Sequence, residues 1–334
     1  RKSVGIAATK DGAAYYAYRI RQQTTTERTA EEIHRLGLSE VARIRAEMDA
    51  VVQKSGFKGD RKAYIAMLRT DPRYYAKTGE ELMLRAGALA KTVDGHLPKL
   101  FGRLPRLPYT VLPIPDDQAA GNTTAYYEPG AIAAGRAGVY RVNLTELDQR
   151  PLFELPSLGV HEAVPGHHLQ IALQQELDLH DFRKHGAFFT AFVEGWGLYS
   201  ERLGIEMGLY DTPEKNMGRL SYEMWRACRL VVDTGIHARG WTKQQAVDFM
   251  LENTALSAAN VDAEVNRYIT WPGQALAYKI GEIKFRELRA RAEAALGDTF
   301  DIRAFHDAVL ENGAVPLDVL EAYFDEWLAA RKAA

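Results

Sequence analysis

The chain has 334 residues, with 42 Lys and Arg against 44 Asp and Glu, a net charge of −2. At 46% hydrophobic and 26% charged it has ordinary globular composition, which excludes a disordered, collagenous or low-complexity chain. The near-neutral balance removes the electrostatic basis for nucleic-acid binding, no apolar run is long enough to span a membrane, and the one cysteine, Cys228, excludes an internal disulfide or a cysteine-based zinc site.

Taken in chain order, the pattern is mostly helical. Thr29-x-x-Glu32 is a capping box that opens a helix with Ile33, Leu36, Val41 and Ile44 on its apolar side. A second helical region spans Glu80 to Phe101, and Pro105 and Pro108 end it. Tyr109 to Pro115 and Gly138 to Leu144 are short β-branched and aromatic runs bounded by Gly and Pro, and they predict two strands. The second of these would offer a backbone edge to an extended peptide. Helices resume after Pro156. Thr212-Pro213 caps the next, Gly240 stops it, and Thr242 caps another. Trp271-Pro272-Gly273 separates two more, and the last begins near Pro316. The expected fold is mainly α with a small β element: one domain, with a helical lobe over 1–108, the β element over 109–150 and a helical metal-site region over 151–334. Because the chain opens at Arg1 rather than Met, the native protein is expected to be longer at its N-terminus. It is read as soluble, cytoplasmic or exported, with no oligomeric state assigned.

The chemistry lies in His161-Glu162-Ala163-Val164-Pro165-Gly166-His167-His168. A helical His followed by Glu, with a second His returned to the same side, supplies two nitrogen ligands to zinc and a general base toward water. The usual second position, four residues on, is Pro165, which cannot donate to the carbonyl of His161. The helix should therefore kink or bulge here, and two extra residues absorbed in that turn bring His167 into the second position. In a regular helix His168 would return to the face of His161, but about 10.5 Å further along the axis, too far for easy chelation. His167 is therefore the preferred ligand and His168 the alternative. Glu194 is the third candidate. It sits in the most apolar stretch of the chain, Gly186 to Tyr199, where an unpaired carboxylate would be costly and a metal ion would satisfy it. Glu201, seven residues later, shares its face and could orient a liganding histidine.

Gly166-His167-His168-Leu-Gln resembles the second half of the metal helix in gluzincin oligopeptidases, and Glu194-Gly-Trp-Gly-Leu-Tyr-Ser-Glu201 resembles the Glu-bearing helix of aminopeptidase N-like enzymes. Both, together with Arg267-Tyr268-Ile-Thr-Trp-Pro-Gly-Gln-Ala-Leu-Ala-Tyr278-Lys-Ile-Gly281, resemble the bacterial family called domain of unknown function 885, in its C-terminal portion. The resemblance implies a zincin-like metallopeptidase domain holding one zinc ion and acting on a peptide or small amide substrate. It implies that Tyr278, similar to the tyrosines of the Gly-Tyr-Tyr-Ser-Tyr region in thimet-type enzymes, donates to the oxyanion, with Tyr268 as second choice. Arg267 is the candidate for holding a substrate carboxylate through its planar fork.

The expected function is a zinc-dependent amide hydrolase in which His161, His167 and Glu194 hold the metal and Glu162 is the general base. Two alternatives share the same residues. Two histidines and a carboxylate also form the facial triad of non-haem iron enzymes, and a closed site with His168 as fourth ligand would suit a non-catalytic, metal-stabilised peptide-binding protein. Cys228 is expected to be a buried structural thiol, His34 a surface or packing group and His237 a dipole partner at a helix C-terminus.

Overall fold

Residues 3–333 are described by the computed structural model. They form a mainly helical chain with one three-stranded sheet, grouped into two compact units. The first unit combines residues up to Tyr74 with Tyr210–Ile280, and the second combines Tyr75–Leu209 with residues from Gly281 onward. Sequence neighbours are thus divided between units, and the helical stretch 1–108 contributes to both.

The first unit is organised by two long helices, Ala30–Ser55 and Pro213–Arg239. The capping box is present: Thr29 accepts from the backbone of Glu32 and Glu32 returns the bond. Ile33, Val41, Ile44 and Met48 are buried, as are Leu220, Met224, Leu230 and Val231 of the second helix. Thr212 caps that helix, Gly240 ends it with φ of 71°, and Thr242 forms a further capping box with Gln245. His34 is buried and bonded to Thr234, 2.8 Å away. His237 lies in the last turn of Pro213–Arg239, as expected, and has further partners. Its Nδ1 accepts from the Ile6 amide and its Nε2 donates to the Tyr268 carbonyl, so both nitrogens serve internal backbone. Cys228 is buried, which pushes its thiol up.

In the second unit, β1 (Tyr109–Pro113), β2 (Ala125–Glu128) and β3 (Gly138–Val142) form the sheet in the order β1-β3-β2. β1 runs parallel to β3 and β2 antiparallel to it. The expectation that the Gly138 strand presents a free edge is corrected here: it is central and paired on both sides. The reason is β2, a four-residue strand that follows a polar Gly121-Asn-Thr-Thr run and carries too little pattern to announce itself. Register places Tyr109 opposite Gly138 and Tyr127 opposite Tyr140, so these residues lie on one face. Gly138 takes no side chain on that face because a Cβ would meet Nδ1 of His168 at 2.7 Å. A second core region surrounds Trp196, which packs edge-on against Phe101, Phe285 and His306.

Candidate metal centre

The local sequence explains how two histidines six residues apart come to face one point. The helix Leu155–Glu162 ends as soon as it has presented His161 and Glu162. Ala163 and Gly166 leave helical geometry, the Val164–Pro165 peptide is cis, and a new helix, His167–Glu176, begins at once. The link is an expanded turn in which the Gly166 amide bonds to the Val160 carbonyl and the His168 amide to the Ala163 carbonyl. The expected kink is therefore a full break. Gly166 is required there, since a Cβ would stand 1.9 Å from the His161 carbonyl oxygen. Trp196 secures the turn from the facing helix by donating Nε1 to the Pro165 carbonyl at 2.8 Å.

That facing helix, Thr190–Leu203, carries both acidic candidates. Glu194 Oε2 lies 3.5 Å from His161 Nε2 and 3.4 Å from His167 Nε2. The imidazoles are nearly perpendicular, at 86°, with centroids 4.7 Å apart. One ligand atom from each of the three residues falls within 4.8 Å of the others, the one such group of three found among the described residues. Glu201, two turns on, accepts from His161 Nδ1 at 2.8 Å and so leaves Nε2 turned toward Glu194. Burial alone would discharge His161, but Glu194 and then Glu201 outweigh it and hold the ring up to about 9. Burial likewise opposes charge on Glu194, and the two imidazoles outweigh it and hold the carboxyl well below its usual range.

His168 points away from this centre. Its Nε2 donates to the Leu107 carbonyl at 3.0 Å and its Nδ1 accepts from the Tyr127 hydroxyl at 2.9 Å. Burial lowers it to about 4, so the ring is neutral and structural. Of the two adjacent histidines, His167 is the one that converges on His161 and Glu194. Glu162 remains partly exposed at the end of its helix and lies within electrostatic reach of His161. A contribution not assigned from the sequence is that of Gly197. A Cβ there would sit 2.8 Å from Cε1 of His161, so the glycine is what lets the Glu194 helix lie against the imidazole. Its signal was the small residue flanking Trp196 in an otherwise bulky apolar run.

The first unit gathers the other candidates into a network of its own. The Tyr268 hydroxyl accepts from Trp225 Nε1 and Arg229 Nε and donates to Glu264. Arg267 bonds Gln274 at 2.7 Å and the Tyr278 hydroxyl at 3.2 Å, and the Arg229 guanidinium stacks 4.3 Å from the Tyr278 ring centroid. Tyr268 is 1% exposed and its hydroxyl has all the partners it can use, whereas Arg267 keeps 31% of its side chain exposed.

Residues 2–323 match the model of a family described as a bacterial protein of unknown function, DUF885. The chain belongs to the DUF885 family. This DUF885 chain is also similar to two solved proteins, each described as a "putative lipoprotein". One, from Colwellia psychrerythraea, is 39% identical with a TM-score of 0.95, over 99% of this chain and 57% of that one. The other, from Shewanella oneidensis and of unknown function, is 21% identical with a TM-score of 0.81, over 98% of this chain and 60% of that one. The second likeness is one of fold. The DUF885 chain thus spans less than two thirds of either protein. No curated protein matches it. Among the described residues, no helix is long and apolar enough to cross a membrane.

Proposed function

We propose that this DUF885 protein is a zinc-dependent amide hydrolase of gluzincin type, a peptidase acting on short peptides. The observation that carries the reading is the convergence of His161 Nε2, His167 Nε2 and Glu194 Oε2, with Glu162 beside the first ligand. The donor set fits the ion: two imidazole nitrogens and one carboxylate are a catalytic zinc complement that leaves one position open. A zinc ion held there would supply Lewis-acid polarisation of the scissile carbonyl and lower the pKa of water.

The remaining work falls to the side chains. Glu162 takes a proton from the attacking water and returns it to the leaving amine. Glu201 keeps His161 in the tautomer that offers Nε2, and Gly197 admits that imidazole to the centre. Tyr268 has its hydroxyl fully engaged and is assigned to hold Arg229 and Glu264 in place.

Two features favour this reading over its rivals. With both nitrogens of His168 committed elsewhere, a closed structural zinc lacks its fourth ligand. A carboxylate directly after the first ligand serves hydrolysis and has no part in an iron facial triad. The test is digestion of a synthetic peptide library read by mass spectrometry, with and without chelator. Cleavage that chelator abolishes and zinc restores supports the proposal, and an uncut library despite full zinc loading refutes it.

A further inference from the structure

The two candidate histidine ligands are not supported alike. His161 has Glu201 on its second nitrogen. His167 is buried, and its Nδ1 has no hydrogen-bond partner among the described residues. One turn along the same helix, Gln170 is 2% exposed, and neither its amide oxygen nor its amide nitrogen has a partner among the described residues. A buried amide left unmatched is costly, and such groups are rare enough that each calls for a physical reason.

Helix geometry supplies one. Residues i and i+3 share a face, and helical side chains lean back toward the N-terminus, so Gln170 reaches over the turn that carries His167. The two unmatched groups are complementary. An amide oxygen accepts and an imidazole N–H donates. Resting on the metal reading above, we propose that Gln170 is the positioning residue for His167: with the ion held, its amide oxygen accepts from His167 Nδ1–H and fixes the tautomer that offers Nε2. The centre would then have one histidine oriented by a carboxylate, Glu201, and the other by a neutral amide.

Gln170→Met keeps the length of the side chain and removes its polar atoms. Its expected effects are a zinc dissociation constant raised about 10- to 100-fold by chelator competition, and altered absorption bands in the cobalt-substituted protein. The metal-free variant should melt at the wild-type temperature or above it, since an unmatched amide has been removed. Gln170→Glu, which restores an acceptor oxygen, should recover zinc affinity to within a few fold of wild type. Wild-type affinity and cobalt bands in Gln170→Met overturn the proposal. So does a Gln170→Met that melts lower when metal-free while Gln170→Glu fails to rescue, the signature of a packing role. If the wild-type protein binds no divalent ion, the metal reading itself falls, and this assignment with it.

Discussion

Glu201 Oε1 lies 2.8 Å from Nδ1 of His161, and Glu194, two turns back on the same helix, faces the other nitrogen of that ring. One helix therefore supplies a carboxylate to the centre and orients the imidazole opposite it. Glu201→Leu, which removes the acceptor, should weaken zinc binding about 10- to 100-fold, while Glu201→Gln, which keeps an acceptor oxygen, should lose less. Chelator competition measures both, and a Glu201→Leu protein with wild-type affinity would contradict the assignment.

Glu162 is the proposed proton carrier and is not among the three converging side chains. Glu162→Gln should keep zinc content and melting temperature while turnover of a cleaved peptide falls about 10²- to 10⁴-fold. Full turnover in this variant would remove Glu162 from the chemistry.

Gly197 has no room for a methyl group, because a Cβ would lie 2.8 Å from the His161 ring. Gly197→Ala should displace either the helix or the imidazole, destabilising the chain by about 1–3 kcal/mol and lowering zinc occupancy. Urea unfolding and metal analysis report the two effects separately. A variant that keeps both values would show that the contact relaxes freely.

Two of the buried histidines, His306 and His168, resist protonation most strongly. His306 donates Nδ1–H to the Leu100 carbonyl and accepts from the Tyr199 hydroxyl, and burial lowers it to about 3. His168 is lowered to about 4 by burial. Between these values and about 6.5, the ordinary pKa of histidine, the unfolded chain takes up protons that the folded chain refuses. The stability they contribute is complete above about 6.5 and is lost as pH falls toward the folded values, by up to about 1.4 kcal/mol per pH unit for each ring. Urea midpoints between neutral pH and pH 5 should show this slope. In His306→Phe, which cannot charge, the slope should shrink from a lower starting stability. An unchanged slope would exclude His306 as a source.

Much of this architecture is written locally in the sequence. The Thr29 and Thr242 caps and the Gly240 stop follow from backbone groups satisfied within a few residues, so short patterns carry them. Glu194 was legible for another reason: a single charge in an apolar run needs a partner. The Pro165-Gly166 break was legible as an irregularity, but its extent, one helix ended and another begun, depends on the Trp196 bond from a distant helix. β2 was missed because four residues cannot show a period. The pairing of Ala30–Ser55 with Pro213–Arg239 was invisible for a related reason, since it joins stretches far apart in the chain. The axial rise already favoured His167 over His168, but where His168 points instead depends on the Leu107 carbonyl and the Tyr127 hydroxyl, partners distant in the chain.

Metal content of the purified protein tests the central claim most directly. After zinc loading and desalting, elemental mass spectrometry should find about one zinc per chain in the wild type and none retained by Glu194→Ala. Full zinc occupancy in Glu194→Ala, with the variant folded, would contradict the account.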